Sequence, residues 1–168
     1  DRRARVVRFY KKVAGDLRAA NIRVAIELLR EEEDKVVCTV ENAIAIVDTL
    51  NMEIDGDHFG IHYDTFHFDC RGFDQVASIT ALGQRITHLH VNGTGRRPAG
   101  GEGDELNWTE ICTAVTEHAR VEAATNEPFC ALVRANSPEL GDGLPEPVDE
   151  PGGIQKTAET LRTAGFID

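Results

Sequence analysis

Short β-branched segments alternate with amphipathic segments along this chain, and that order constrains the fold more than any other feature. Apolar residues recur three and four positions apart, as in helices, in residues 2–20, 37–50, 73–82, 108–119 and 154–164. Strand patterns cover residues 22–28, 59–64, 85–91 and 121–126. Four strands that alternate with helices predict βα units on a parallel sheet. We expect loops at 31–34, 92–103 and 134–153.

Length and charge limit the class of protein. The chain has 168 residues, which favours a single domain over 1–168. Its net charge of -11 argues against nucleic acid or an anionic membrane as a partner. No apolar run is long enough to cross a bilayer. The four cysteines form no CxxC pair, and no secretory signal opens the chain, so we expect reduced thiols and a cytoplasmic location.

A residue type that binds metal stands at the end of each predicted strand. These residues are Glu27, Asp64 and His90, with Glu127 directly after the fourth strand. In βα barrels the catalytic groups come from the carboxyl ends of several strands. Three carboxylates and one imidazole favour Mn²⁺ or Mg²⁺, and Zn²⁺ and Co²⁺ also tolerate such a set. The pattern therefore predicts a divalent metal site, with Mn²⁺ as the first choice.

Each of these residues also has an ordinary explanation. Glu27 fits a surface carboxylate at a strand exit, and Asp64 fits a helix N-cap. His90 fits a hydrogen-bonded core histidine, and Glu127 lies in a turn-like Asn-Glu-Pro tripeptide. The recurrence of ligand types at the same end of four successive strands favours the metal site.

Five segments resemble motifs of one enzyme family. Residues 26–33 are similar to its strand-five motif E-x-L-N-R-[FY]-E, with Glu27 and Glu33 as the outer glutamates. Residues 64–68, Asp-Thr-Phe-His-Phe, resemble its D-T-F-H-M motif, and residues 107–111 resemble its D-W-x-E-I motif. His88-Leu89-His90, with Arg96 after it, resembles the strand-seven H-x-H with its arginine, and residues 127–129 resemble E-P-F.

These motifs are similar to those of the sugar isomerase/epimerase family with a xylose-isomerase-like TIM barrel, and most of all its ketose (tagatose and psicose) 3-epimerases. The resemblance implies Glu27, Asp64, His90 and Glu127 as metal ligands. It implies Glu33, His67 and Arg96 as residues that bind substrate hydroxyls. The expected activity is metal-dependent epimerisation or isomerisation of a ketose through a cis-enediolate, with Glu27 and Glu127 as acid/base catalysts on opposite sides of the substrate.

The sequence also departs from the family pattern, mainly around the substrate. Residues 29–32 replace its asparagine and aromatic residue, and Gly93 stands where the family has a glutamate. An inosose-type dehydratase or a hydroxypyruvate-type isomerase on the same barrel therefore stays open. So does a non-catalytic barrel half that serves as an interaction subunit. The zinc endonucleases of this barrel type are disfavoured by the acidic charge.

The four strands match strands five to eight of the family barrel. A (β/α)8 barrel needs about 250 residues, so the chain is predicted to be the C-terminal half of a TIM barrel. We expect an N-terminal half or a second chain, as in a homo-oligomer, to close it around a small sugar. Strands 22–27 and 121–126 would be open edges, and an apolar inner face would meet water. We expect that face to carry Val24, Ile26, Ile61, Tyr63, Ile86 or Leu89. His88 and His90 should share a face, with His90 as the ligand and His88 as a packing residue or a residue that supports the ligands.

Overall fold

The computed structural model describes residues 2–126 and 152–168. The strands are β1 (Val24–Glu27), β2 (Phe59–Asp64), β3 (Ile86–Val91) and β4 (Ala123–Asn126). The helices are α1 (Arg2–Ala19), α2 (Val40–Ile54), α3 (Thr65–Asp69), α4 (Gln75–Leu82), α5 (Trp108–His118) and α6 (Gly153–Thr163). Short 3-10 turns occupy Gly83–Arg85 and Thr94–Arg96. The predicted loop at 134–153 lies mostly outside the described residues.

All four strands are parallel and pair in chain order, β1-β2-β3-β4, which confirms the predicted α/β fold. The sheet is curved at its amino-terminal end. Arg23, just before β1, forms an ion pair with Glu122, just before β4, although β2 and β3 separate the two strands. A curved run of sequential parallel strands with helices behind it is the wall of a βα barrel.

Capping residues decide where two helices begin. Both helices therefore start two or three residues later than the sequence pattern predicts. Thr39 Oγ1 accepts a hydrogen bond from the Asn42 amide at 3.2 Å, so α2 begins at Val40. The Asp74 carboxylate accepts from the Ala77 amide at 2.9 Å, so α4 begins at Gln75. The five-residue helix α3, directly after β2, was missed because it is too short to show a helical period.

The prediction of an apolar inner face is wrong. Ile61, Tyr63 and Ile86 are completely buried in the core, and Leu89 is 2% exposed. Tyr63, for example, stacks on Phe68 of α3 with ring centroids 4.0 Å apart. Because side chains alternate along a strand, the residues next to Ile61, Tyr63 and Leu89 lie on the opposite face. The register shift between Ile61 and His62 separates Ile86 from His88, which pairs with His62 rather than following the alternation from Ile86. That inner face is therefore polar, and the residues that meet there are Glu27, His62, Asp64, His88 and His90.

The sheet nevertheless has two edges that no described residue covers. β1 pairs only with β2, and β4 pairs only with β3, among residues 2–126 and 152–168. Three of the four β4 residues are exposed. Ile22, just before β1, is an exposed large apolar residue. In the described part of the chain, no helix has both the length and the apolar character needed to span a membrane.

We propose that these 168 residues form one half-barrel unit that needs further protein to close. Unpaired parallel edges seek pairing partners. The isolated chain is therefore expected to elute in size-exclusion chromatography as a dimer or aggregate, or to be unfolded by circular dichroism. Co-expression with an N-terminal barrel half should convert it to a defined complex. A compact monomer that melts cooperatively would contradict the proposal.

Candidate metal and substrate site

Three of the four predicted metal ligands meet at the carboxyl ends of the strands. Glu27 and Asp64 are the last residues of β1 and β2, and the register places Asp64 beside His90 of β3. One ligand atom from each of Glu27, Asp64 and His90 lies within 4.8 Å of the other two. Glu127 follows the last residue of β4 in sequence but lies outside the described residues, so its place in this group stays a prediction.

The two oxygens of Asp64 have different partners. Its Oδ1 accepts hydrogen bonds from the Phe66 amide and from Asn92 Nδ2, both at 2.9 Å. Asp64 is thus the N-cap of α3, the alternative that its sequence position suggested. Its Oδ2 is buried without a well-formed hydrogen bond among the described residues. Oδ2 lies 3.8 Å from His90 Nδ1 and 3.2 Å from Arg96 Nη1. It therefore faces the group of predicted metal ligands (Glu27, Asp64 and His90, called the metal-ligand group below), while Oδ1 caps α3 and binds Asn92.

Both carboxylates are held in the ionised form that metal binding requires. Burial opposes ionisation of Asp64, but its contacts with the His90 imidazole, the Arg96 guanidinium and His67 outweigh this and lower its pKa to about 2. Burial likewise opposes ionisation of Glu27, and the adjacent imidazoles of His67 and His62 outweigh it and lower its pKa. Ionised carboxylates, an imidazole and a buried Asp64 oxygen facing them fit a divalent cation.

His67 connects the metal-ligand group with the residues predicted to bind substrate. It lies in α3 and is 1% exposed. Its Nε2 is 3.5 Å from Glu27 Oε1 and 3.2 Å from Arg96 Nη2. Its Nδ1 is 3.5 Å from Glu33 Oε2. The structure therefore brings Glu33, His67 and Arg96 together beside Glu27 and Asp64.

Arg96 and Glu33 are each held by a second contact. The Arg96 guanidinium lies over the Phe66 ring, 4.5 Å from its centroid, and Arg96 is 6% exposed. Its backbone has a φ of 63°, a left-handed conformation that is uncommon for arginine. Glu33 Oε2 accepts a hydrogen bond from Arg30 Nε at 3.0 Å, and this bond lowers the Glu33 pKa.

The loop that carries Arg96 explains the glycine at position 93. The Asp104 carboxylate accepts hydrogen bonds from the amides of Thr94 and Gly100 at 2.9 and 2.6 Å, and from Trp108 Nε1 at 2.6 Å. A Cβ added at Gly93 would lie 2.7 Å from that carboxylate. The family's glutamate therefore cannot stand at position 93 without displacing Asp104, which organises the loop.

His62 is the residue of this face that the sequence interpretation missed. It lies on β2 opposite Glu27, with its Nδ1 4.0 Å from Glu27 Oε2. Its ring centroid is 3.8 Å from that of His90 and 4.7 Å from that of His88. Burial, then the neighbouring His90, lowers its pKa to about 4. Its position two residues before Asp64 on one strand could have revealed it.

These features define a class: a βα-barrel wall with ionised carboxylates and imidazoles at the carboxyl ends of its parallel strands. The chain belongs to the Xylose isomerase-like TIM barrel family, whose model matches residues 1–163. A search of curated proteins gave no match.

Three solved structures illustrate the fold that this chain shares. A D-psicose 3-epimerase solved with D-fructose is 22% identical, with a TM-score of 0.73 over 96% of this chain and 53% of its own. A D-allulose 3-epimerase from Methylomonas sp. is 18% identical, with a TM-score of 0.76 over 96% of this chain and 55% of its own. The IolI protein with a bound zinc atom is 18% identical, with a TM-score of 0.66, over 96% and 56%. The chain spans about half the length of these structures.

Proposed function

We propose that this chain carries the catalytic half of a divalent-metal-dependent epimerase or isomerase that acts on a ketose or a related sugar. The observation that carries the proposal is the convergence of Glu27, Asp64 and His90 within 4.8 Å. The contacts of His67 and Arg96 with the same group add to it. The fold relatives that are named as ketose 3-epimerases support this substrate class.

In the proposed site, Glu27, Asp64 and His90, with Glu127, hold the cation, for which Mn²⁺ is the first candidate. Such a cation supplies Lewis acidity, which polarises a substrate carbonyl and lowers the cost of removing the neighbouring proton. The Glu27 side chain is 30% exposed, so one of its oxygens can reach a bound molecule. With its pKa lowered, Glu27 is in the basic form that accepts a proton.

The other residues orient the substrate. The buried Arg96 guanidinium can only donate hydrogen bonds, and it offers them to sugar oxygens. Glu33 accepts hydrogen bonds from hydroxyls, and Arg30 holds it in place. Glu127 is proposed as the second acid/base, which returns a proton on the opposite side of the substrate. Removal on one side and return on the other inverts the carbon without a redox cofactor.

A dehydratase or hydroxypyruvate-type isomerase with the same ligands is the second candidate. The departures at residues 29–32 favour it, since they fall in the substrate shell, and the zinc-bound IolI shares the fold. The cytoplasm stays the predicted location.

The test is proton exchange. The purified protein, with its barrel completed, is incubated in D₂O with Mn²⁺ and D-fructose, D-psicose or D-tagatose, and proton NMR follows deuterium at the carbon beside the carbonyl. We expect uptake together with epimer formation, and its loss in EDTA. Water loss from an inosose would instead identify the dehydratase. Bound Mn²⁺ without either reaction would favour the non-catalytic interaction subunit.

A further inference from the structure

A cluster of three histidines overlaps the metal-ligand group of Glu27, Asp64 and His90, and two of its members, His62 and His88, have no part in the proposed reaction. His62 of β2 and His88 and His90 of β3 each offer a ring nitrogen, and the three nitrogens lie within 4.8 Å of one another. The His88 and His90 ring centroids are 5.4 Å apart. His88 is partly buried, and its Nε2 lies 3.2 Å from Thr125 Oγ1 of β4.

The His62 ring is oriented as in a metal-binding histidine. Its Nδ1 points toward the Glu27 carboxylate at 4.0 Å. Its Nε2 is buried and has no hydrogen-bond partner among the described residues. Metal-binding histidines commonly direct one ring nitrogen to a carboxylate and the other to the metal. A buried nitrogen without a partner costs free energy unless a ligand satisfies it.

We propose that His62, His88 and His90 form a second, nitrogen-rich cation position that selects a borderline transition metal such as Ni²⁺ or Zn²⁺. Imidazole ligands suit these metals, whereas carboxylate oxygens suit Mn²⁺ and Mg²⁺. Metal–nitrogen bonds of about 2.0–2.1 Å place two ligand nitrogens at most about 4.2 Å apart, which is close to the present arrangement, in which the three nitrogens lie within 4.8 Å of one another. Binding therefore requires at most small rotations of the His62 and His88 rings, which are only partly buried.

The shared residue makes the two positions exclusive. His90 belongs both to the histidine cluster and to the metal-ligand group of Glu27, Asp64 and His90. A neutral imidazole has one nitrogen lone pair for a metal, so one His90 ring cannot serve two cations at once. A nitrogen-seeking metal in the histidine cluster therefore displaces Mn²⁺ from the proposed catalytic position. This competition rests on the proposed function only for the location of the Mn²⁺ site.

Competitive metal binding tests the inference. Purified metal-free protein, in its complete assembly, is titrated with Ni²⁺ and with Mn²⁺ by isothermal calorimetry. Two variants separate the positions. His88→Gln changes a residue that belongs only to the histidine cluster, and Glu27→Gln changes one that belongs only to the metal-ligand group. The matched control is His118→Gln, at a partly exposed histidine of α5 that lies outside both groups. We expect His88→Gln to weaken Ni²⁺ at least about tenfold and leave Mn²⁺ unchanged. Glu27→Gln should weaken Mn²⁺ more than Ni²⁺, and each metal should displace the other.

Two results would overturn it. Unchanged Ni²⁺ affinity in His88→Gln would mean that the cluster does not bind this metal. An equal loss of Ni²⁺ and Mn²⁺ affinity in that variant would mean that His88 acts only on the fold. Neither result would change the expected ketose turnover with Mn²⁺. That turnover tests the proposed function separately.

Discussion

Replacement of Glu27 with Gln is expected to reduce proton exchange at the substrate carbon by about 10²–10⁴-fold, the usual contribution of a positioned general base. The amide keeps the size of the side chain but removes its charge and its basicity. It also weakens the Mn²⁺ position, because the neutral oxygen is a poorer ligand. Deuterium uptake from D₂O, measured at saturating Mn²⁺, separates lost basicity from lost metal.

Glu31→Gln is the matched control, because Glu31 has the same chemistry and its side chain is 65% exposed near the same site. It should exchange at the wild-type rate. If Glu27→Gln also keeps that rate with Mn²⁺ bound, then Glu27 is not the base and the proposed acid/base pair is wrong.

Replacement of Asp64 with Ala is expected to lower the free energy of unfolding more than any other substitution at the site. Asp64 is completely buried and lies 3.2 Å from the Arg96 guanidinium, which is itself buried. Removal of one partner of a buried ion pair leaves an unpaired buried charge and costs about 3–5 kcal/mol. Loss of the N-cap of α3 adds about 1 kcal/mol. Urea unfolding of the assembled protein measures the sum.

Asp74→Ala supplies the control, because Asp74 is the N-cap of α4 and forms no ion pair with any described residue, so its loss should cost only about 1 kcal/mol. Equal losses of unfolding free energy in the two variants would refute the buried-pair account.

The buried pair of Asp64 and Arg96 also predicts that stability depends on pH. The folded-state pKa of Asp64, about 2, is below its unfolded value, so its contribution is complete above an unfolded pKa of about 4. That contribution should fall as the pH drops from about 4 toward 2, and it should be missing in Asp64→Ala.

Local patterns were sufficient to predict much of the candidate site. Glu27, Asp64 and His90 were placed together from sequence because parallel strands in a barrel align their carboxyl ends. The alternatives for Asp64 did not exclude each other, since one oxygen caps a helix and the other faces His90. A sequence cannot assign the two oxygens, because the division depends on where Asn92 and Arg96 lie in the fold.

The arrangement of the residues that are proposed to bind substrate was harder to predict. His67 and Arg96 came from the family resemblance, and the structure places them 3.2 Å apart. The left-handed backbone at Arg96 and the bonds that Asp104 makes across its loop have no periodic signature. Gly93 replaces the glutamate of the family pattern because the Asp104 carboxylate occupies the space that a side chain would need, and only the structure shows this.

The sequence by itself determined the order of strands and helices and which candidate ligand residues stand at the strand ends, because alternation and helical spacing are properties of adjacent residues. Only the tertiary structure decided which face of the sheet carries the apolar residues. Parallel strands buried against helices are apolar along much of their length, and β2 and β3 shift register between Ile61 and His62. That register also brings His62 of β2 beside His88 and His90 of β3. Such a meeting across strands depends on pairing between distant segments, which no local pattern encodes.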